Sequence, residues 1–534
     1  MADSGSKQTF LHGAALLAIA TAVVKVIGAF YKIPLKMVIG DQGYGYFITA
    51  YDIYSVLLMI STAGLPVAMS RMISQAAALG NYSQVRRVYK TAQAIFLGLG
   101  VVSTALMVGF SKQLAAFQQQ PNAATAIACL GPCALFMGMI STYRGFFQGQ
   151  GDMRPTSVSQ VLEAFFKLIV GLGVAFAVMH YTKSVPLAAA GAILGVTVSC
   201  AVSVVYLYGK YRPAAKSLPQ SPEKPLTYKE TAKSLLAIAV PITIGSAGLQ
   251  LLTVVEQNLY MGQLLTANGL SQDAADTMKG IYSMSMTIFN MPCAFIVPIS
   301  VSVIPAITSH LTLQNNRGVR ETEESAARIT GLISLPCSVG LCVLARPVMA
   351  LLGDYSGEKL DLAARLMTVL GACIFLYAII QYTNSLMQAH GYAHIPVVNM
   401  LLAGVVKLAV VYILVGNPNI GILGAPVGAV LCYAAISVMN LVAIAKKVPQ
   451  KPALLKNLLR PLFPALLMGG AVYGAYWVLT QIPAVADSRI LLCGVPVALG
   501  IAVYCVAAVL CKSITAADCM LLPKGEKIAK LLRL

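Results

Sequence analysis

"GFFQGQGDMRPTSVSQVLEAFFKLIV" occupies residues 145–170, and "SLMQAHGYAHIPVVNMLLAGVVKLAV" occupies residues 385–410. Gln148, Gly151, Val158, Leu162, Lys167, Leu168 and Val170 recur 240 positions later as Gln388, Gly391, Val398, Leu402, Lys407, Leu408 and Val410. The chain writes one helix–loop–helix twice and sets a lysine inside an apolar stretch both times. A second echo lies nearby at offset 239, where Ile60, Ser61, Pro66 and Ser70 match Ile299, Ser300, Pro305 and Ser309. "GAILG" (191–195) also faces "GAPVG" (424–428). Matches at non-apolar positions and one offset point to an internal duplication.

The composition says which solvent the duplicated unit meets. Of 534 residues, 58% are hydrophobic and 11% are charged, and the mean hydropathy is +0.76. A soluble chain keeps about a quarter of its residues charged. Apolar runs long enough to cross a bilayer recur throughout. In lipid such runs must be helices, because the backbone has to satisfy its own hydrogen bonds. The expected fold is therefore an all-α integral membrane protein with fourteen transmembrane helices. The spans fall at about 12–39, 45–70, 91–111, 122–147, 157–180, 186–208, 234–264, 280–308, 326–352, 362–388, 396–416, 420–445, 461–481 and 490–511. Spans 1–6 map onto spans 7–12. Six is even, so the two bundles insert alike and are expected to be related by a pseudo-twofold along the membrane normal. The domains read as 1–208 (first lobe), 209–233 (basic cytoplasmic linker), 234–445 (second lobe) and 446–534 (spans 13 and 14 and a basic tail).

Lys and Arg alternate across this layout. Twenty-six lie on one side, and six (Lys36, Lys112, Lys183, Lys279, Lys359 and Arg489) lie on the other. The positive-inside rule makes the rich side cytoplasmic and places both termini there. The +19 formal charge thus reflects topology and attraction to anionic lipids; nucleic acid is not an expected partner. The twelve cysteines sit singly and read as reduced packing residues. "GQG" at 149–151 follows no strand, His390 and His394 flank a glycine, and no Walker A sequence is present. Nucleotide, zinc and ATP chemistry are not expected.

Ionisable residues within spans face protein or water, because lipid is costly for them. Lys25 and Lys32 share a face of span 1, and Lys36 continues it outward, where it can snorkel. Asp52 on span 2 lies near the depth of Lys32 and is expected to pair with it. Glu163 and Lys167 stand four apart, acid first, the favourable ion-pair spacing. Arg144 ends span 4 near the interface, placed to meet a phosphate or to anchor the helix. Glu256 lies on a polar stripe of span 7 and is a candidate proton or sodium site; Asn399 lies on span 11. The six embedded cations are Lys25, Lys32, Lys167, Arg346, Arg365 and Lys407; against Asp52, Glu163 and Glu256 they leave an expected excess of positive charge. Such a cavity suits an anion such as a phosphate.

"VIGAFYKIPLKMVIGDQGYGYF", "STAGLPVAMSRMIS", "YRGFFQGQGDMRPTSVSQVLE" and "NMPCAFIVPISVSVIPAI" resemble the SpoVB/YtgP-type polysaccharide transporters. These belong to the multidrug/oligosaccharidyl-lipid/polysaccharide (MOP) flippase superfamily, with its MurJ-type branch of lipid II flippases. The resemblance covers nearly the whole chain. It implies two six-helix lobes, two extra helices bordering a lipid-tail groove, and alternating access that carries an undecaprenyl-pyrophosphate-linked glycan to the outer leaflet. Lys25 matches the first cavity arginine of span 1, and the second falls near Tyr31 or Lys32. Thr287 stands where the span 8 arginine would be. Relatives with a sodium site among spans 7, 11 and 12 direct attention to Glu256 and Asn399, although Ala403 supplies no carboxylate. The substrate-binding set expected is Lys25, Lys32, Asp52, Arg144 and Lys167, with Glu256 and Asn399 for ion coupling. No cofactor is expected beyond Na+ or H+ as coupling ion, no covalent chemistry, and a monomer in the bacterial cytoplasmic membrane. A cation-coupled multidrug exporter, or a flippase for another lipid-linked polysaccharide or a sporulation-specific precursor, is the competing expectation.

Overall fold

The structure, a computed structural model, describes residues 2–62, 64–221, 223–449, 452–483 and 488–513. Its side-chain description omits residues 2–22, 25, 26, 29, 60–62, 67, 241, 242, 244–246, 249, 297–299, 301, 302, 305 and 306. The described residues are helical and contain no strand, as the apolar runs require. Ten helices are long and apolar enough to cross a membrane among the described residues. The expected spans 1, 2, 7 and 8 fall on three further long helices whose side chains are described only in part.

The chain divides into two compact units, Met1–Ser283 and Met284–Leu534. The first opens with α1 (Ala2–Thr62), which carries spans 1 and 2 joined end to end and breaks at Gly40, φ 70° and ψ −176°. That conformation is open to glycine and strained for other residues. α2 (Leu65–Ala78) restarts with proline in its first turn, where a missing N–H costs nothing. α3 (Tyr82–Gly109) is capped by Asn81, whose side chain accepts from Gln84 N at 2.8 Å. α4 (Ser111–Phe117), α5 (Ala124–Gly149), α6 (Arg154–Thr182), α7 (Val185–Lys216) and α8 (Tyr228–Thr266) follow. A capping box between Thr227 and Glu230 opens α8, and the Thr227 hydroxyl and backbone N–H hold the Glu230 carboxyl below its ordinary range. α9 (Gln272–Thr312) begins in this unit and continues into the next. α1 packs on α5, α6, α7 and α8, and α6 lies along α7. Glycines permit that last approach: a Cβ on Gly195 would stand 2.3 Å from Gly171 Cα.

The second unit continues with α10 (Asn316–Val343), α11 (Ala345–Leu352), α12 (Gly357–Ala389), α13 (His394–Val415), α14 (Gly424–Lys447), α15 (Leu454–Leu459), α16 (Leu462–Thr480) and α17 (Arg489–Leu510). α10 packs against α12, α15 and α16, α12 and α13 flank α14, and α16 lies on α17. Its core gathers Ile379, Tyr382, Leu386, Ile444 and Leu458.

The duplicated stretch keeps its local geometry in each unit. Gly151 (φ 81°) and Gly391 (φ 82°) both turn left-handed just past a helix end. Gly151 N donates to Gln148 O at 3.0 Å, and Gly391 N donates to Gln388 O at 3.1 Å. Asp152 N and Tyr392 N then close the same wider turn onto Phe147 O and Met387 O at 3.0 and 2.8 Å.

Candidate functional site

A buried polar network joins α1, α8, the segment after α4 and the first turns of α9 within the first unit. On the second arm of α1, Tyr46, Thr49 and Asp52 fall three apart and share one face. α8 contributes Glu256, Gln257 and Tyr260, the segment after α4 contributes Gln118 and Gln120, and the first turns of α9 contribute Gln272, Asp276 and Lys279. Asp276 and Lys279 are both 0% exposed. The Lys279 ammonium donates to Gln120 Oε1 at 2.8 Å and to the Thr49 hydroxyl. The Asp276 carboxylate accepts from Tyr46 OH at 2.9 Å, Gln120 Nε2 at 2.8 Å and Gln272 Nε2 at 2.9 Å. The Gln257 amide lies among Asp52, Thr49, Gln118 and Lys279; with its nitrogen toward Asp52 and its oxygen toward Lys279, both ends are satisfied. Buried charges survive in this way, paired and hydrogen-bonded from several sides.

Lys279 corrects the topology reading, which assigned it to an outer loop. It is a fully buried member of this network, interacting electrostatically with Asp52 and Asp276. Lys36 was expected to snorkel; it is buried and meets Asp41 at 3.4 Å. The sequence signal was present for Lys279: Asp276 and Lys279 stand three apart on a helical pattern that runs unbroken into span 8.

Lys32 and Asp52 attract one another, and Asp52 also feels the Lys279 ammonium, the larger influence of the two. Glu256 adds a second acid to the field at Asp52. The Glu163–Lys167 ion pair does not form. Glu163 turns to Arg144, whose Nη2 reaches it at 3.2 Å while Nε donates to Ser159 Oγ at 3.0 Å. Lys167 Nζ instead lies over the rings of Tyr51 and Tyr31, 4.7 and 5.3 Å from their centroids. The fork geometry of arginine explains the exchange: one guanidinium satisfies the acid and a hydroxyl together, which an ammonium does less well. The Lys25 side chain lies outside the described residues.

Asp276 and Lys279 add one acid and one cation to the charges the sequence singled out, and Lys25, which the expected positive excess counted, lies outside the described side chains. Asn399 belongs to the second unit, where it donates to Asn440 Oδ1 at 2.9 Å; Asn440 donates in turn to Asn384 and Thr383. Arg346, expected within the membrane, sits half-exposed at the α10–α11 break and pairs with Asp361.

The comparisons with known proteins agree with this arrangement of helices. Residues 10–310 match the family model described as "Polysaccharide biosynthesis protein", and residues 277–413 match the MatE model. Stage V sporulation protein B of Bacillus subtilis (strain 168) is 25% identical over 448 residues, 83% of this chain and 85% of that protein. The lipid II flippase MurJ of the same organism is 23% identical over 492 residues, 88% and 89% of the two chains. Among solved structures, an inward closed lipid II flippase MurJ superposes with a TM-score of 0.69 at 14% identity, covering 93% of this chain and 98% of that one. An inward-facing multidrug resistance MATE transporter gives 0.64 at 16% identity, covering 80% and 99%. The chain belongs to the polysaccharide biosynthesis protein family and is a multi-pass membrane protein with the fold of the MurJ and MATE transporters.

Proposed function

We propose that this protein is a flippase that moves an undecaprenyl-pyrophosphate-linked cell-wall precursor, lipid II in the first instance, from the inner to the outer leaflet by alternating access. The observation that carries the reading is the family match over residues 10–310 together with Lys32 and Lys167, half-buried on long helices of the same segment. Lys32, with Lys25 on the same face, draws the pyrophosphate in as a point charge. Lys167, held between tyrosine rings, and Arg144, already half-committed to Glu163, orient it less directly. Asp52 belongs with the substrate-binding set, and Glu256 supplies the carboxylate for a coupling Na+ or H+ in the first unit; Asn399 is the polar candidate within the second. A unit charge crossing the membrane field contributes about 2.3 kcal/mol per 100 mV, enough to bias a two-state carrier. No covalent step is involved. Both termini lie in the cytoplasm and the working unit is a monomer.

The test is restoration of growth in a bacterium depleted of its lipid II flippase. Wild type restores it, and Lys25→Ala with Lys32→Ala does not, at equal membrane abundance; full rescue by the double variant removes the site. A cation-coupled multidrug exporter is the second reading, favoured by the MatE match over 277–413 and the buried acids of α1 and α8. Drug hypersensitivity of a deletion strain, without accumulation of a lipid-linked glycan, would establish it instead.

A further inference from the structure

Within the second unit a cavity of about 310 Å³ opens where α11, α12, α16 and α17 meet. It lies at the helix ends that the charge pattern turns outward, and the flippase reading makes no use of it. Two guanidiniums line it, Arg346 and Arg489, with the phenols of Tyr355 and Tyr476 and the hydroxyl of Ser356. Leu360 and Leu492 are among its apolar lining. No acidic residue is in the lining. The carboxylates that neutralise the arginines stand behind them: Asp361 takes Arg346 Nη1, and Asp354 takes Arg489 Nη1. Arg489 Nη1 also donates to Ala350 O at 3.2 Å. Each contact uses one nitrogen of a five-donor fork and leaves the others for a ligand. The side chains keep 52% and 44% exposure, so they are held in place yet reachable. Ser356, the residue before α12, makes no capping bond with its side chain. Gly357 follows it at φ 56°.

We propose that this cavity binds a phosphate-bearing anion, supplied either as the headgroup of an anionic lipid or as free phosphate. Two guanidinium forks held by acids outside the cavity suit tetrahedral oxyanions, and phenol and serine hydroxyls complete the donor set. The apolar lining suits the glycerol end of a lipid, and the cavity is lined in part by the two C-terminal membrane helices.

The experiment uses the full chain. Native mass spectrometry and thermal unfolding compare phosphatidylglycerol with phosphatidylcholine nanodiscs. A second arm titrates sodium phosphate against sodium chloride at matched ionic strength in neutral detergent. Phosphatidylglycerol retained by wild type, and held roughly tenfold more weakly by Arg346→Gln with Arg489→Gln, supports the lipid source. Stabilisation by free phosphate that the same variant loses supports the soluble source. A Lys112→Gln control, exposed and distant in sequence, leaves either response unchanged. Asp354→Asn with Asp361→Asn keeps the guanidiniums and removes the counter-charges, so it binds at least as tightly as wild type. That arm guards against misfolding of the arginine variant. Equal responses of wild type and the arginine variant, no response in either arm, or loss of binding only in the aspartate variant overturns the proposal.

Discussion

Lys279 shows what a single residue decides in this molecule. It has four methylenes and one charge, and it is buried among Thr49, Gln120, Asp52 and Asp276. Removing one partner from a buried ion network strands the rest, at a cost of about 3–5 kcal/mol. Lys279→Ala is therefore expected to lower the unfolding midpoint of the purified protein by several degrees, because Asp276 and Asp52 lose their shared cation. Lys279→Met with Asp52→Asn and Asp276→Asn, which removes the charges together, is expected to recover most of the loss. If Lys279→Ala unfolds where wild type does, the network carries no stability. Residue type was easier to read than residue partner. An embedded charge announces itself against an apolar background, so Lys32, Asp52, Lys167 and Glu256 could be picked out from sequence. Spacing alone then suggested Glu163 with Lys167, and the structure gives Glu163 to Arg144, an element away. Helical spacing says which side chains can meet on one helix. It is silent about a better donor arriving from another.

At the scale of the helix, the existence of long helices was legible because lipid leaves the backbone little choice, but the breaks inside the expected spans 45–70 and 326–352, at Gly64 and Leu344, were not. Glycine marks the turn at residue 151 and its echo at 391, where both hold a φ above 80°. A Cβ there costs about 1–2 kcal/mol in the left-handed region. Gly151→Ala and Gly391→Ala are each expected to destabilise by about that amount in denaturant titration, with nothing within 4 Å of either new Cβ to confuse the result. Gly280 makes the complementary case. A Cβ on it would lie 1.9 Å from Asp41 O, so α1 and α9 would have to separate around the buried network. Overpacking of this kind costs about 1–3 kcal/mol. Gly280→Ala is expected to unfold earlier than wild type, and Gly209→Ala, on open surface in α7, to match or slightly exceed it. Equal midpoints for the two would mean the helices yield freely at Gly280. No helical periodicity could have flagged Gly280, because close approach is a property of two helices and only one is written in any window.

For the whole molecule, burial changes which charges the orientation expectation rests on. The sequence tally set 26 basic residues on one side against six on the other. Two of the six, Lys36 and Lys279, are buried among acids and polar groups and cannot weigh on a loop's transfer. A third, Arg489, is held by Asp354. What remains on the expected outer side is sparse, while the segment from Lys210 to Lys233, running from the end of α7 into the first turns of α8, carries six basic residues. Charges in short loops next to spans set topology, and acids contribute little to that choice. Alkaline phosphatase, active only beyond the cytoplasmic membrane, reads the result directly. Fused after Lys183, in the short turn between α6 and α7, it is expected to be active; fused after Pro219, one span later, it is expected to be inactive. The reverse pattern would invert every helix, point the Arg346–Arg489 cavity at the cytoplasm, and send an inner-leaflet substrate to the wrong end of the transporter.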